Sequence, residues 1–147
     1  MTTTRTTTQL PTTTTRDQSC RNFGIVLPGD SKCMKLFTNA ASWTDAEATC
    51  DSLGGHLFSL HSNKDNDFIR RTAVANGLLN GIHIGLFNTN GGELSWVWSD
   101  RSTLDYINFE QGSPDPDEGE CTIMTTRGLW RTARCTQILP FICEWML

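Results

Sequence analysis

The sequence predicts an α+β domain in which two amphipathic helices precede a series of short β-strands and long loops. Apolar residues recur at helical spacing in two stretches between residues 42 and 77, and no helical period follows them. Short apolar or alternating runs then continue to the C-terminus, which favours antiparallel sheets. The loop from about residue 99 to residue 120 shows almost no regular pattern, and a loop of this length in a compact domain is usually functional or disordered.

Length, charge and cysteine content indicate a single extracellular domain. The chain has 147 residues and a formal net charge of −4, so it offers no excess of basic residues for nucleic acid. No apolar run reaches the ~18 residues that span a bilayer, and no secretory signal sequence follows Met1. Because the six cysteines are widely spaced, disulfides in a secreted or cell-surface protein are favoured over zinc or redox motifs. They are Cys20, Cys33, Cys50, Cys121, Cys135 and Cys143.

The first 19 residues form a separate segment of low complexity. Ten of them are threonine, and the pattern Thr-Thr-Thr-Arg occurs twice. Such a segment buries too little apolar surface to offset the entropy of ordering it. We therefore predict a Thr-rich disordered stalk or linker over residues 1–19, either O-glycosylated or bare, and a folded domain over residues 20–147.

A hairpin is predicted at the start of the folded part. Apolar runs at 23–27 and 33–37 flank Pro28-Gly29-Asp30, and adjacent Pro and Gly mark a turn. Cys20 and Cys33 lie on the two arms of this hairpin and could bridge it.

Two helices follow the hairpin, one over 42–53 and one from Ser62 to about residue 75. Each begins with a Ser-x-x-Asp pattern, which resembles a capping box, and each is followed by glycine. The predicted buried faces consist of Trp43, Ala46, Cys50 and Leu53 in the first helix and Phe68, Ile69 and Ala73 in the second.

The remaining regular structure is predicted to be strand. The predicted strands cover 82–87, 94–98, 121–124, 128–130 and 141–145. Gly85 interrupts the first of them, which indicates close approach of another backbone. His56, His61 and His83 are predicted to be surface or capping residues, because no cysteine or second histidine accompanies them at metal-ligand spacing.

The stretch from Glu110 to Cys135 is the strongest candidate for a binding site in the sequence. Of the eleven residues from 110 to 120, five are acidic, and a cysteine follows directly. The simplest interpretation is a solvated, mutually repelling loop. The alternative is a metal site built from Asp115, Asp117, Glu118 and Glu120.

Four short motifs carry the strongest information about the family of the chain. They are Trp43-x-x-Ala46-x-x-x-Cys50 with Gly54-Gly55-His56-Leu57, then His83-Ile84-Gly85-Leu86, Trp96-x-Trp98-Ser99-Asp100, and Cys135-x5-Phe141-Ile142-Cys143-Glu144. Together with the six cysteines, they resemble the C-type lectin-like domain family in its long form with an N-terminal hairpin. The second motif departs from the family pattern, because His83 replaces a tryptophan. The resemblance covers residues 20–145 and implies the C-type lectin-like fold.

The resemblance also implies the disulfide pairing. It pairs Cys20 with Cys33, Cys50 with Cys143, and Cys121 with Cys135. The second of these would tie the first helix to the last strand, and chain-entropy estimates for so long a loop give roughly 4–5 kcal/mol of stabilisation.

The calcium site that the resemblance implies is predicted to be degraded. Sugar-binding members hold calcium with a Glu-Pro-Asn or Gln-Pro-Asp triplet, a further Glu, and a Trp-Asn-Asp triplet. Here the triplets read Ser113-Pro114-Asp115 and Trp130-Arg131-Thr132, with Glu120 beside Cys121. Calcium takes about 6–8 oxygen ligands, so the loss of several ligands weakens the site. We predict that Arg131 replaces the charge of the ion by pairing with Asp115 or another loop carboxylate, and that the bond before Pro114 is cis.

These features predict an extracellular ligand-recognition module that is not an enzyme. Its ligand is a carbohydrate or a protein partner. A calcium-dependent lectin with a rearranged acidic-loop site and a structural or protective domain without a ligand are the alternatives. The predicted ligand-binding residues are Ser113, Pro114, Asp115, Glu120, Trp130 and Arg131.

Overall fold

The computed structural model describes residues 20, 25–26, 32–89 and 95–146. The predicted stalk at 1–19, the predicted turn at 28–30 and Leu94 lie outside these residues.

Both predicted helices are confirmed. Helix α1 covers Trp43–Ser52 and helix α2 covers Asn63–Ala75. Ser42 and Ser62 are their N-caps, and each hydroxyl accepts a hydrogen bond of 3.1 Å from the backbone N–H three residues later. The buried residues are Trp43, Ala46 and Cys50 in α1 and Asn66, Ile69 and Ala73 in α2.

The described residues form one sheet of eight strands. The strands are β1 (Ile25–Val26), β2 (Lys32–Ala41), β3 (His56–Leu57), β4 (Ile82–Asn88), β5 (Trp96–Trp98), β6 (Cys121–Met124), β7 (Trp130–Ala133) and β8 (Leu139–Met146). Their order in the sheet is β1-β2-β8-β4-β6-β7, with β3 paired to β8 and β5 paired to β4. The ladder between β4 and β8 is parallel, at His83 and Phe141, and the other ladders between described strands are antiparallel.

The predicted hairpin is formed by β1 and β2, and one predicted strand is displaced. We predicted a strand at 128–130, but β7 begins at Trp130. Gly128 instead closes a turn with φ of +80°, donating its N–H to the Thr125 carbonyl at 2.9 Å. A turn at this place reverses the chain so that β6 and β7 pair.

Three disulfides join the elements in the pairing that the resemblance implies. They are Cys20–Cys33, Cys50–Cys143 and Cys121–Cys135. Cys50 and Cys143 are both 0% exposed, and their disulfide connects α1 with β8 across 93 residues of chain. The third bond joins the start of β6 to the residues just after β7.

The prediction that His83 lies at the surface is wrong. His83 is 1% exposed, because it stands on β4, the strand that the sheet encloses between β8 and β6. Its Nε2 lies 2.7 Å from the Ala41 carbonyl. Burial lowers the pKa of His83, and its backbone hydrogen bonds act in the opposite direction.

Two glycines allow backbones to pass closely in the core. A Cβ on Gly85 would lie 2.7 Å from the Leu57 carbonyl oxygen, which confirms the predicted close approach. A Cβ on Gly55 would lie 2.0 Å from the Glu144 carbonyl oxygen. The contact at Gly55 is with backbone, so no side-chain rotation can relieve it.

We predict that Gly55→Ala destabilises the domain by about 3 kcal/mol, because the new methyl group overlaps the β8 backbone. Gly77→Ala is the matched control: Gly77 has a φ of +75° but nothing within 4 Å of its added Cβ. Backbone strain alone costs the control about 1–2 kcal/mol. Urea unfolding with the disulfides intact measures both losses. Equal losses would show that close approach at Gly55 is not the constraint.

Candidate ligand-binding site on the long loop

The long loop, residues 99–120, is attached to the edge of the sheet by backbone hydrogen bonds. The Trp130 N–H donates to the Asn108 carbonyl at 2.9 Å, and the Glu110 N–H donates to the Trp130 carbonyl at 2.9 Å. Phe109 forms an isolated parallel bridge with Trp130. The loop therefore satisfies polar groups that strand β7 would otherwise present unpaired at the end of the sheet.

The Trp130 side chain lies under the loop and not on its surface. It is 0% exposed, and its indole N–H donates to Asn66 Oδ1 at 2.7 Å. The rings of Trp98, Tyr106 and Phe109 meet it edge-on, with centroids 5.4, 5.8 and 5.5 Å away. Because a buried ring has no free face, this geometry does not support the prediction that Trp130 contacts ligand. Trp130 instead positions the loop.

Asn66 fixes Trp130 and the turn at Gly128, a role that the sequence did not predict. It is 4% exposed on α2 and donates to the Gly128 carbonyl at 2.9 Å while accepting from Trp130. Asn108 of the long loop donates to the same carbonyl at 2.7 Å. Asn66 precedes Ile69 by three residues on the buried face of α2, so helical spacing was the signal that could have identified it.

The segment Ser113-Pro114-Asp115 crosses in front of β7. The bond between Ser113 and Pro114 is cis, as predicted. Asp115 caps a single turn of 3₁₀-helix, Pro116–Glu118, and its Oδ1 accepts from the Asp117 N–H at 3.0 Å. The Asp115 side chain thus holds its own loop.

Thr132 joins this segment to β7 by hydrogen bonds. Its hydroxyl accepts from the Asp115 N–H and donates to Glu118 Oε1, each at 3.1 Å. Its backbone N–H donates to the Ser113 hydroxyl at 3.4 Å. Thr132 itself is 4% exposed. Three points of the loop are therefore fixed by one residue, which stands where the resemblance places a calcium ligand.

The acidic residues of the loop do not converge on a point. Across 32–89 and 95–146, no group of three or more histidine, cysteine, aspartate or glutamate residues is arranged to hold a metal ion. The Glu118 carboxylate accepts from Thr132, and the Glu120 residue is exposed. The predicted metal ligands Asp115, Asp117, Glu118 and Glu120 are thus not brought together. This donor set does not fit an ion that requires about 6–8 oxygens.

Arg131 is exposed on β7, opposite Ile123 of β6. The predicted ion pair between Arg131 and a loop carboxylate is wrong for the part of the chain that the structure describes, where the ion pairs involve other residues. Arg70 and Arg71, by contrast, both pair with Asp67. The strand turns the Arg131 side chain outward, while Thr132 beside it points inward to the loop.

An open cleft of about 510 Å³ lies along the end of β7. It is polar, and it brings charges of both signs to one surface. The residues that supply its charged and hydrogen-bonding groups include Glu110, Glu118, Arg131, Arg134, Thr136 and Gln137. Two guanidinium groups and two carboxylates therefore face the same solvent-filled space.

Comparison with known proteins identifies the family of the domain. The family model of the lectin C-type domain matches residues 39–145. The chain belongs to the C-type lectin domain family, and it has the fold of that family. Among the described residues, no helix is long and apolar enough to cross a membrane.

Relatives and solved structures show the extent of the similarity. The chain is 36% identical over 117 residues to human C-type mannose receptor 2, a match that covers 74% of this chain and 7% of the receptor. It is 36% identical to the C-type lectin galactose-binding isoform of Hoplocephalus stephensii, covering 80% of this chain and 79% of that protein. The cow C-type carbohydrate-recognition domain of CD23, crystallised in the presence of GlcNAc2Man3 oligosaccharide, superimposes with a TM-score of 0.73. It shares 30% sequence identity and covers 84% of this chain and 93% of that one.

We predict that Thr132→Val loosens the loop segment 113–118, because the substitution keeps the shape of the side chain but removes both hydroxyl hydrogen bonds. The loss of stability is about 1–3 kcal/mol. Thr122→Val is the matched control, since buried Thr122 faces Thr132 across the β6–β7 ladder and donates only to the Leu86 carbonyl. Amide hydrogen exchange should show lost protection at Asp115 in the first variant and not in the second. Unchanged protection at Asp115 would contradict the role of Thr132.

Proposed function

We propose that this domain recognises glycans bearing acidic groups, and that it does so without a bridging calcium ion. The binding surface is the face formed by the long loop and the end of β7. The observation that carries the proposal is the hydrogen bonding of Thr132, which fixes the loop at Ser113, Asp115 and Glu118. A loop fastened in this way does not require an ion to hold its shape.

The donor atoms of the loop support a site without calcium. Asp115 and Glu118 already use carboxylate oxygens in hydrogen bonds within the domain. Arg131 places a positive charge on the same strand as Thr132, and a cation repels a second cation nearby.

The arginines of the cleft support an acidic ligand. Arg131 and Arg134 are both exposed and line the same cleft. A guanidinium group presents a planar fork of N–H donors that matches a carboxylate or sulfate group. Thr136 and Gln137 add neutral hydrogen-bonding groups, and Glu110 and Glu118 can accept hydrogen bonds from sugar hydroxyls. The cleft thus suits a ligand with both acidic and hydroxyl groups.

The relatives support a glycan over a protein partner. One is named as a galactose-binding lectin, and the cow CD23 domain was crystallised with an oligosaccharide. The cleft is polar, whereas protein partners usually bury an apolar centre.

We place the domain outside the cell, where its three disulfides are stable, and we assign it no catalytic activity.

Glycan binding should follow the two arginines of the cleft. We expect binding to a sulfated or uronic-acid oligosaccharide and a loss of about tenfold in affinity in Arg131→Gln and in Arg134→Gln, since each removes a hydrogen bond to a charged group. Arg127→Gln is the control with the same change in charge, because Arg127 is exposed outside the cleft. Binding to neutral glycans alone, to a protein partner alone, or equal losses in all three variants would contradict the proposal.

Calcium should leave both stability and binding unchanged. We predict the same melting temperature in millimolar calcium and in chelator, because the loop is held by Thr132 and not by an ion. A ligand present at 100 times its Kd stabilises a protein by about 2.7 kcal/mol. A calcium-dependent rise of several degrees, or glycan binding abolished by chelator, would therefore show a rearranged calcium site.

A further inference from the structure

A second open cleft, of about 510 Å³, lies between α1, the β4–β5 ladder and the start of the long loop. It shares no lining residue with the cleft at the end of β7. The residues that line this second cleft include Glu47, Phe87, Val97, Ser99, Arg101 and Ser102. The domain therefore has a separate place at which a ligand could bind.

One side of the second cleft is an apolar patch formed by Phe87 and Val97. The two residues are directly opposite each other in the β4–β5 ladder, so their side chains lie on the same face of the sheet. Phe87 is partly buried and Val97 is 40% exposed. The Trp43 ring packs against Phe87 with centroids 5.2 Å apart, and its indole N–H donates to the Ile84 carbonyl at 2.7 Å. The Phe87 ring is thus held in position by the core, while the patch keeps a surface open to solvent.

Arg101 supplies the positive charge of the second cleft. The residue is exposed at the start of the long loop. Over residues 32–89 and 95–146, no ion pair or side-chain hydrogen bond engages its guanidinium group. Its N–H donors are therefore available to a ligand.

The backbone of Arg101 has a conformation that favours glycine. Its φ is +67°, and among the residues that the structure describes it is the only one with a side chain beyond Cα and a positive φ. The Arg101 N–H donates to the Trp98 carbonyl at 3.0 Å, and the Ser102 N–H donates to Asp100 Oδ1 at 2.9 Å. These hydrogen bonds hold the turn in spite of the unfavourable φ. An arginine at such a position indicates a use for its side chain.

The two serine hydroxyls of the second cleft are acceptors for a ligand, because their protons are used within the domain. The Ser99 hydroxyl donates to Glu47 Oε1 at 3.0 Å, and the Ser102 hydroxyl donates to Asp100 Oδ1. Each serine oxygen retains lone pairs that accept hydrogen bonds. Arg101 thus supplies donors to the cleft, and the serine oxygens supply acceptors.

Glu47 brings a carboxylate to the same cleft, but other residues of the domain occupy its oxygens. In addition to the Ser99 hydroxyl, Oε1 accepts from the Leu57 N–H at 2.9 Å, and Oε2 lies 2.6 Å from His56 Nδ1. The Glu47 side chain is 20% exposed. Arg101 is therefore the charged group of this cleft that is free to meet a ligand.

We propose that the second cleft binds an acidic sugar, whose acid group lies on Arg101. The fork of N–H donors on a guanidinium group matches a carboxylate. The hydroxyl groups of the sugar donate to Ser99 and Ser102, and the C–H face of its ring packs on Phe87 and Val97. A carboxylate ligand without hydroxyl groups would leave both serine oxygens unused. This inference goes beyond the proposed function, since it concerns a different cleft and a different arginine.

An NMR titration of the whole 147-residue chain tests the site with a defined sugar. We expect methyl β-D-glucuronide to shift the Val97 methyl and Phe87 ring signals to saturation. Methyl β-D-glucoside, which has a hydroxymethyl group in place of the carboxylate, should not shift them. Acetate, which has the acid group without the ring, should not shift them either. Equal shifts with the glucoside or with acetate, or no shift with the glucuronide, overturn the proposal.

Arg101→Gln should weaken glucuronide binding at these signals about tenfold, because it removes a hydrogen bond to a charged group. Arg127→Gln is the control with the same change in charge, since Arg127 is exposed and lines neither cleft. Unchanged binding in Arg101→Gln, or equal losses in both variants, overturns the proposal. Either failure leaves the glycan recognition at the end of β7 untouched, because that function is measured through Arg131 and Arg134.

Arg101→Gly covers the case in which Arg101→Gln fails to fold. Glycine adopts a φ of +67° without strain, so this variant should melt at the temperature of the unmodified domain or above it. Its affinity for methyl β-D-glucuronide should fall as in Arg101→Gln. Full affinity in this folded variant overturns the assignment of the acid group to Arg101.

Discussion

The position of the whole candidate binding surface depends on one buried residue, Trp130. Its backbone N–H and carbonyl both form hydrogen bonds with the long loop, and the rings of Tyr106 and Phe109 pack edge-on against its indole ring. Burying its indole N–H without a hydrogen-bond acceptor would destabilise the fold. Asn66 of α2 supplies that acceptor. A loop of some twenty residues without regular structure can hold a defined shape because its polar backbone is paired with the sheet edge at this residue.

The hydrogen bonds of Thr132 fix the next part of the long loop. Thr132 follows Trp130 by two positions on β7, so it lies on the same inward face and reaches the next part of the loop. The exposed residue between them, Arg131, necessarily points the other way. Strand alternation thus separates the groups that hold the loop from the exposed charge of Arg131, and it explains why the guanidinium does not pair with Asp115.

The loop is also anchored at its beginning, through Ser59 and His61. Ser59 uses its N–H, its hydroxyl proton and its oxygen lone pair toward three different partners. The long loop is therefore anchored near its start, at Asp100 and Asp105, and near its end, by Thr132.

The sequence by itself determined the helices, the cysteine pattern and the family. Capping serines, helical spacing and four ordered motifs are local signals. The two helices begin after those serines, and the family model matches the chain. The resemblance to the family also predicted the cis bond before Pro114. Only the tertiary structure decided that Trp130 and His83 are buried, that Asn66 serves the loop, and that the acidic residues stay apart. Those outcomes depend on which strands become neighbours and which face of each strand meets the core, and these are properties of long-range packing that no short stretch of sequence contains.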